Sequence, residues 1–168
     1  MKRGFTLIEI TVVSGIIILL AGIVLANYRA GEKQFALRRS AHKLAQDLRT
    51  AQEMAMSSRK FGGTFPAGGY GIHFQEGSGA YILFADSNDN DEYDETGEEK
   101  VQELSLEKGI KISGLSPASP LDITFFPPDP FITINRTADN KSAGISLSFT
   151  DGQSITININ IAGLIDID

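Results

Sequence analysis

Hydrophobic and polar residues follow three different patterns along the chain. From Ile10 to Tyr28 there are 19 residues without a charge, dominated by isoleucine, valine and leucine. Between Leu37 and Ala55 the apolar residues instead recur every third or fourth position, as in an amphipathic helix. After Phe61 the period becomes two, and clusters of glycine, proline and asparagine separate the segments. These patterns predict a long N-terminal helix followed by a β-rich domain.

The uncharged segment is long enough to cross a membrane. As an α-helix its 19 residues extend about 28 Å, close to the hydrocarbon thickness of a bilayer. Lys2 and Arg3 precede it, so the positive-inside rule places the N-terminus in the cytoplasm and the rest of the chain outside. No proline occurs before Pro66, so no proline interrupts the helix earlier. The prediction is a transmembrane half, residues 5–28, and an amphipathic half, residues 29–60.

Eight short segments with apolar residues follow the helix, and they predict β-strands. They are Tyr70–Phe74, Ala80–Ala85, Val101–Leu106, Ile110–Ser113, Asp122–Phe126, Phe131–Asn135, Ile145–Phe149 and Ser154–Ile161. Short strands separated by turn residues are typical of an antiparallel sheet, with the amphipathic helix covering one face. The fold class is therefore α+β, and residues 61–168 form the globular head.

One carboxylate, Glu9, stands at the start of the apolar segment. A charge in a membrane helix costs roughly 3 kcal/mol at mid-helix and less near an end, so Glu9 opposes insertion. An ordinary secretory signal gains nothing from it, although Val24-Leu-Ala26 offers a cleavage site for such a signal. Glu9 therefore needs an explanation of its own.

The residues before Glu9 offer an explanation for this carboxylate. The leader, residues 1–4, is basic, and Gly4-Phe5-Thr6-Leu7-Ile8-Glu9 follows its last basic residue. This stretch resembles the type III signal of type IV prepilins and pseudopilins. The resemblance implies that a prepilin peptidase cuts after Gly4 and methylates the new amino group of Phe5. It also implies that Glu9 faces the charged N-terminus of a neighbouring subunit in a filament, where the carboxylate is paired.

The head resembles the GspH/FimT-type branch of the same proteins. The matching pieces are Leu48-Arg-Thr-Ala51, Phe84-Ala-Asp-Ser-Asn88, Phe125-Phe-Pro-Pro-Asp129 and a last strand broken by Gly163. The sequence departs from the pattern at Leu164, where a basic residue often follows the glycine.

What the resemblance implies is a minor pilin or pseudopilin of a type IV pilus or a type II secretion system. Such a subunit first spans the inner membrane once, with its head outside, and then enters a cell-surface or periplasmic filament. The implied partners are the prepilin peptidase, other pilin or pseudopilin subunits and the inner-membrane assembly machinery.

Composition excludes several other classes. The formal net charge is −6, cysteine is absent, and His42 and His73 are the two histidines. An acidic chain of this kind disfavours binding to nucleic acid. The sequence contains no nucleophile–base set, no HExxH motif and no phosphate-binding loop, so we predict that the chain is not an enzyme. We expect His42 on the helix surface and His73 packed in a strand.

Acidic residues concentrate between Asp86 and Glu99, where eight of the 21 carboxylates fall within 14 residues. Alternate positions carry oxygen ligands, namely Asp86, Asn88, Asn90, Glu92 and Asp94. That spacing is typical of a Ca²⁺-binding loop. However, Asp91 and Gly97 replace the turn glycine and the bidentate glutamate of such a loop. We favour a hairpin tip stabilised by Asn and Asp turns without a cofactor, and Ca²⁺ binding stays as the alternative.

Two classes of function are consistent with the sequence. The first is the structural filament subunit that is cleaved after Gly4 and assembled through its N-terminal helix. The alternative is a secreted β-rich binding module that ordinary signal cleavage releases after Ala26. The first residue of the mature chain distinguishes the two.

Overall fold

The computed structural model describes residues 4–127, 132–136, 140–149 and 152–168. Over these residues the chain forms one α-helix and nine β-strands. They are α1 (Leu7–Met56), β1 (Gly69–Phe74), β2 (Ala80–Asp86), β3 (Lys100–Ser105), β4 (Ile110–Ser116), β5 (Leu121–Phe125), β6 (Ile132–Ile134), β7 (Ser142–Phe149), β8 (Ser154–Asn160) and β9 (Ile165–Ile167). The chain divides into two compact units, Met1–Phe35 and Ala36–Asp168.

In the first unit the chain enters α1 through a cap. The hydroxyl oxygen of Thr6 accepts a hydrogen bond from the backbone N–H of Glu9 at 3.3 Å. Thr6 and Glu9 are spaced as in a capping box, in which the side chain at the helix start binds the N–H three residues later. The first regular residue of the helix is therefore Leu7, directly after the cap.

The other end of α1 closes with a Schellman motif. The N–H of Arg59 donates to the carbonyl of Met54 at 3.1 Å, and the N–H of Ser58 donates to the carbonyl of Ala55 at 3.0 Å. Ser58 adopts the left-handed conformation, with φ of 47°, where glycine is usual. Because serine gives a weaker stop signal than glycine, the sequence pattern did not mark the end of the helix at Met56.

The strands of the second unit form two antiparallel sheets. The first sheet has the order β3-β2-β1-β5-β6, and the second has the order β4-β7-β8-β9. All strand pairs that the structure describes in them are antiparallel. The α+β arrangement that the sequence predicts, a long helix on an antiparallel β-structure, is confirmed, with two sheets in place of one.

One hydrophobic core joins the second half of α1 to both sheets. Along β1, Tyr70, Ile72 and Phe74 point toward it, as the alternation of side chains along a strand requires. The apolar stripe of the helix contributes Leu37, Ala41, Leu44, Leu48, Ala51 and Ala55. The second sheet adds Ile112, Ile145, Leu147, Ile157 and Ile159. The amphipathic half of the predicted helix thus buries its apolar face, beginning at residue 36.

Polar contacts attach the exposed flank of the helix to the first sheet. The hydroxyl of Tyr81 in β2 donates to Asp47 at 2.5 Å, and burial together with this carboxylate raises the pKa of Tyr81. Arg39 binds both carboxylate oxygens of Glu107 at 2.9 Å, and Lys43 donates to the carbonyl of Ser105 at 3.1 Å. Two basic residues of the helix therefore bind the head itself.

The sequence pattern missed β9. Its three residues pair with β8, and a turn around Gly163, with φ of 76°, brings them there. The side chain of Asn160 supports this turn, because its oxygen accepts the N–H groups of Ala162 and Leu164 at 3.0 Å each. A strand of three residues shows too little alternation for a periodic pattern to detect.

Candidate functional site

The N-terminal residues singled out by the sequence lie at the surface. Gly4 and Phe5 precede the helix, and Phe5 is 79% exposed. Glu9 lies exposed in the first turn of α1, where the positive end of the helix dipole favours a negative charge. Its N–H is the one that Thr6 caps. Thr6 therefore caps the helix at Glu9, a contact that sequence reasoning missed although Thr6-x-x-Glu9 is a capping-box spacing.

Glu9 is the one charged residue of a helical segment that is otherwise uncharged and mainly apolar. Leu7–Leu25 has a mean hydropathy of 2.6, and none of it is buried. By length and composition this helix is able to cross a membrane. Gly15 and Gly22 leave open space on it, since an added Cβ at either would meet no atom within 4 Å. Such small residues allow another helix to approach closely. In the sequence, Gly22-x-x-x-Ala26 is a spacing of small residues of this kind, but the side chain of Ala26 lies outside the described residues.

The acidic segment is not a protruding tip. We call residues 87–99 the acidic strap, because they fold back over the outer face of the first sheet, opposite the core. The ring of Tyr93 lies 5.7 Å from the ring of Phe84 and 5.2 Å from the ring of His73. The neighbours of Phe84 in β2 face the core, so Phe84 itself points to the outer face of the sheet. It is nevertheless fully buried. Its ring lies against β1, where a Cβ on Gly71 would be 2.5 Å from it.

Asp86 anchors the start of the acidic strap. Its buried carboxylate accepts the backbone N–H groups of Asp89 at 2.7 Å, Asn90 at 3.3 Å and Asp91 at 2.8 Å. Gly68 makes room for it, because a Cβ there would lie 2.0 Å from an Asp86 oxygen. The carboxylate thus satisfies three N–H groups of a turn that has no strand partner.

Glu99 anchors the other end in the same way. It is buried, and its oxygens accept the N–H groups of Ser87 at 3.1 Å and Asp94 at 3.2 Å. Burial raises the pKa of the Glu99 carboxyl, and the two N–H groups oppose that change. Burial likewise raises the pKa of Asp91. The acidic strap is therefore an ordered turn, and the buried carboxylates of Asp86 and Glu99 hold its two ends.

The predicted Ca²⁺ ligands are only partly brought together. The side-chain amides of Asn88 and Asn90 both donate to Asp94, at 2.7 and 2.9 Å. Asp86 turns instead to the backbone, and Glu92 pairs with Arg136 at 3.0 Å. Among the described residues no three His, Cys, Asp or Glu side chains form a group suited to a metal ion. Ca²⁺ binding stays a prediction, and calorimetry of the full chain with Ca²⁺ tests it.

Residues 40–163 match the family model described as Type II transport protein GspH. The chain belongs to the GspH family. Proteins of the GspH family are structural and non-enzymatic, so the prediction that this chain is not an enzyme is confirmed by its membership. The predicted branch of the prepilin-like proteins is confirmed as well.

A curated relative supports the assignment to the GspH family. The chain is 36% identical over 98 residues to pilin-like protein PilA1 of Thermus thermophilus. The match covers 58% of this chain and 56% of the relative, so the chain spans little more than half the length of that protein. No solved structure matches the chain significantly.

His73 is the remaining residue that the sequence singled out in this GspH-family head. Its Nδ1 lies 2.8 Å from an oxygen of Asp122 in the neighbouring strand. The imidazole also borders a groove of about 540 Å³ beside the acidic strap. The sequence did not predict this groove, because its lining is brought together by the registers of β1, β2 and β3 and by the position of the acidic strap.

Proposed function

We propose that the chain is a minor pilin or pseudopilin, a structural subunit of a type IV pilus or a type II secretion filament. The observation that carries the proposal is Leu7–Leu25, a fully exposed apolar helix preceded by Gly4-Phe5 and carrying Glu9 in its first turn. An apolar surface of this size needs lipid or other helices around it. Membership of the GspH family and the match to a pilin-like protein support the same role.

The proposed sequence of events begins in the inner membrane. The N-terminus lies in the cytoplasm and the head outside, as the basic leader favours. Prepilin peptidase removes residues 1–4 and methylates Phe5. The assembly machinery then extracts the helix from the bilayer, and a repeated, non-closing contact between neighbouring helices builds the filament. Glu9 pairs with the amino group of Phe5 in a neighbouring subunit, where the low dielectric strengthens the attraction.

Substitutions at Glu9 and Thr6 test this role. If the charge of Glu9 binds a neighbour, Glu9→Gln and Glu9→Ala both fail to enter filaments, while the chain is still cleaved and membrane-bound. Thr6→Ala is the matched control, because it removes the cap and keeps the charge. We expect it to assemble at near-normal levels, measured by immunoblotting of sheared filaments. Normal assembly of Glu9→Gln would contradict the intersubunit pairing.

N-terminal sequencing of the mature protein tests the processing step. Under the proposal the mature chain begins with N-methylated Phe5. A chain that begins with Asn27 would support the secreted binding module instead.

A further inference from the structure

The groove on the outer face of the first sheet is a formed site that the filament role does not use. Its floor is a row of residues across three strands, in which His73 of β1 lies opposite Ile82 of β2, and Ile82 lies opposite Glu103 of β3. Tyr93 and Glu95 of the acidic strap form one wall. Gln75 and Ser78, from the turn between β1 and β2, also line the groove, and so do Ala80, Tyr81 and Lys100. A volume of about 540 Å³ lies within the usual range for small-ligand sites.

The polar and aromatic groups of the groove are held in place before any ligand binds. Tyr93 is positioned by its contacts with His73 and Phe84, whose ring centroids lie 5.2 and 5.7 Å away. His73 is fixed by Asp122, which lies 2.8 Å from Nδ1. Because the carboxylate of Asp122 holds Nδ1, Nε2 is the ring nitrogen left to pair with a ligand. Groups fixed in this way lose little freedom on binding, which favours affinity.

The charges around the groove select against anionic ligands. Lys100 is the cationic residue of the lining, and its ammonium lies 2.5 Å from an oxygen of Glu103. Glu95 and Glu103 give the lining one more carboxylate than ammonium, so an anionic ligand is repelled. The polar groups of the lining are suited to hydroxyls, since carboxylates accept hydrogen bonds from them and the imidazole of His73 and the amide of Gln75 pair with a hydroxyl in either role.

We propose that this groove binds a neutral sugar ring. A sugar ring has an apolar face of C–H groups, which fits against the face of Tyr93 and the side chain of Ile82. Its hydroxyls serve as donors to Glu95 and as partners for His73 and Gln75. The site is therefore a glycan-binding site on the head, separate from the N-terminal helix and independent of the proposed filament role.

A titration of the full-length chain tests the proposal. The protein is kept in lauryldimethylamine oxide, a detergent without a sugar head group, and its histidines and tyrosines are isotopically labelled. Only two histidines and four tyrosines then give NMR signals. The probes are the methyl glycosides of glucose, galactose, mannose and N-acetylglucosamine. At least one should shift the His73 and Tyr93 signals saturably, with a millimolar dissociation constant, while His42 on the helix stays unchanged. If none shifts these signals at about 50 mM, the proposal is wrong.

Substitutions in the groove and a charged sugar test whether binding occurs at this site. Glu95→Ala changes an exposed residue of the acidic strap and should weaken binding of the active glycoside at least threefold. Tyr93→Ala should weaken it tenfold or more. Phe65→Ala is the matched control, since Phe65 is 60% exposed and does not line the groove, and it should leave binding unchanged. Glucuronate should bind more weakly than the neutral glycoside. Tighter binding of glucuronate, or normal binding by both groove variants, would overturn the proposal without affecting the Glu9 test.

Discussion

Asp86 connects the first sheet to the acidic strap through a single carboxylate. It lies at the end of β2, is fully buried, and accepts three backbone N–H groups of the turn that follows. Without it the N–H groups of Asp89 and Asp91 lose this acceptor, whereas that of Asn90 keeps the side-chain oxygen of Asn88 at 3.2 Å. A buried donor left unpaired costs about 1–3 kcal/mol. One side chain thus takes the place of the strand pairing that β2 loses at this point.

Substitution of Asp86 tests this role. We expect Asp86→Ala to lower the free energy of unfolding by about 2–3 kcal/mol, because the hydrogen bonds of a charged acceptor are lost from a buried site. Asp89→Asn is the control. Asp89 is exposed, and asparagine tolerates its left-handed φ of 62°, so the change should stay within about 0.5 kcal/mol. Urea denaturation followed by near-ultraviolet circular dichroism measures both. Equal stabilities of the two variants would show that Asp86 does not hold the turn.

Two other carboxylates make stability depend on pH in opposite directions. Burial raises the pKa of Asp91, so the folded state binds its proton more tightly than the unfolded state does. Its contribution to stability therefore falls as the pH rises from the ordinary Asp value of about 3.9 through the raised value. The hydrogen bonds from Arg39 lower the pKa of Glu107. Its contribution is present above the ordinary Glu value of about 4.3 and is lost as the pH falls below it.

Neutral substitutions should separate these two effects. Asp91→Asn removes a carboxylate that the folded state disfavours, so the variant should be more stable than the parent at pH 7. Glu107→Gln loses a surface ion pair and should be less stable at pH 7 by about 0.5 kcal/mol. Both differences should shrink toward zero below pH 4. Urea titrations at pH 7 and pH 3.5 measure the stability of each variant relative to the parent. If both variants were more stable, or both less stable, than the parent at pH 7, the opposite pKa shifts of Asp91 and Glu107 would be contradicted.

Among the elements, those with a strong period were predictable and the acidic strap was not. The apolar stripe from Leu37 to Ala55 and the alternating isoleucines of β8 marked the helix and that strand, because burial on one face imposes the period on the sequence. The acidic strap has no period, and it is attached by the carboxylates of Asp86 and Glu99 and by Tyr93, one aromatic residue in a polar stretch. A usable signal was nevertheless present in β2. Ala80–Ala85 is apolar on both faces, which is typical of a strand covered on both sides.

The groove could not be predicted from the positions of the helix and the strands alone. His73, Ile82 and Glu103 become neighbours only through the registers of two strand pairs. Register depends on turn geometry and on which face is buried, and a shift of one residue would turn His73 into the core. The N-terminal residues are different, because Gly4, Phe5 and Glu9 lie within one short stretch. Their grouping could be seen directly in the sequence.

At the scale of the whole molecule, the hydrophobic core begins in the middle of α1. The described core starts at residue 36, whereas the described side chains before residue 26 are exposed. Leu37, Ala41, Leu44 and Leu48 are buried among residues of both sheets. The part of the chain that folds cooperatively is therefore expected to include the second half of the helix and to exclude the first.

Two fragments test this expectation. Residues 36–168 should be soluble without detergent, monomeric by gel filtration and cooperative in thermal unfolding. Residues 61–168 lack the helix and leave the inner faces of both sheets uncovered, so this fragment should aggregate or stay unfolded. A cooperative transition in the shorter fragment would show that the sheets form a core without the helix.

The position of the Thr6 cap has a consequence for the order of maturation. Gly4 and Phe5 lie before the cap, in backbone that is not helical, and the helix starts only at Leu7. A protease needs its substrate unwound around the scissile bond, and from Gly4 onward no turn of helix has to open to expose it. The proposed cut therefore does not compete with helix formation. Under the proposed function, the subunit can fold and reside in the membrane before it is processed, so that cleavage would time its release for assembly and not its folding.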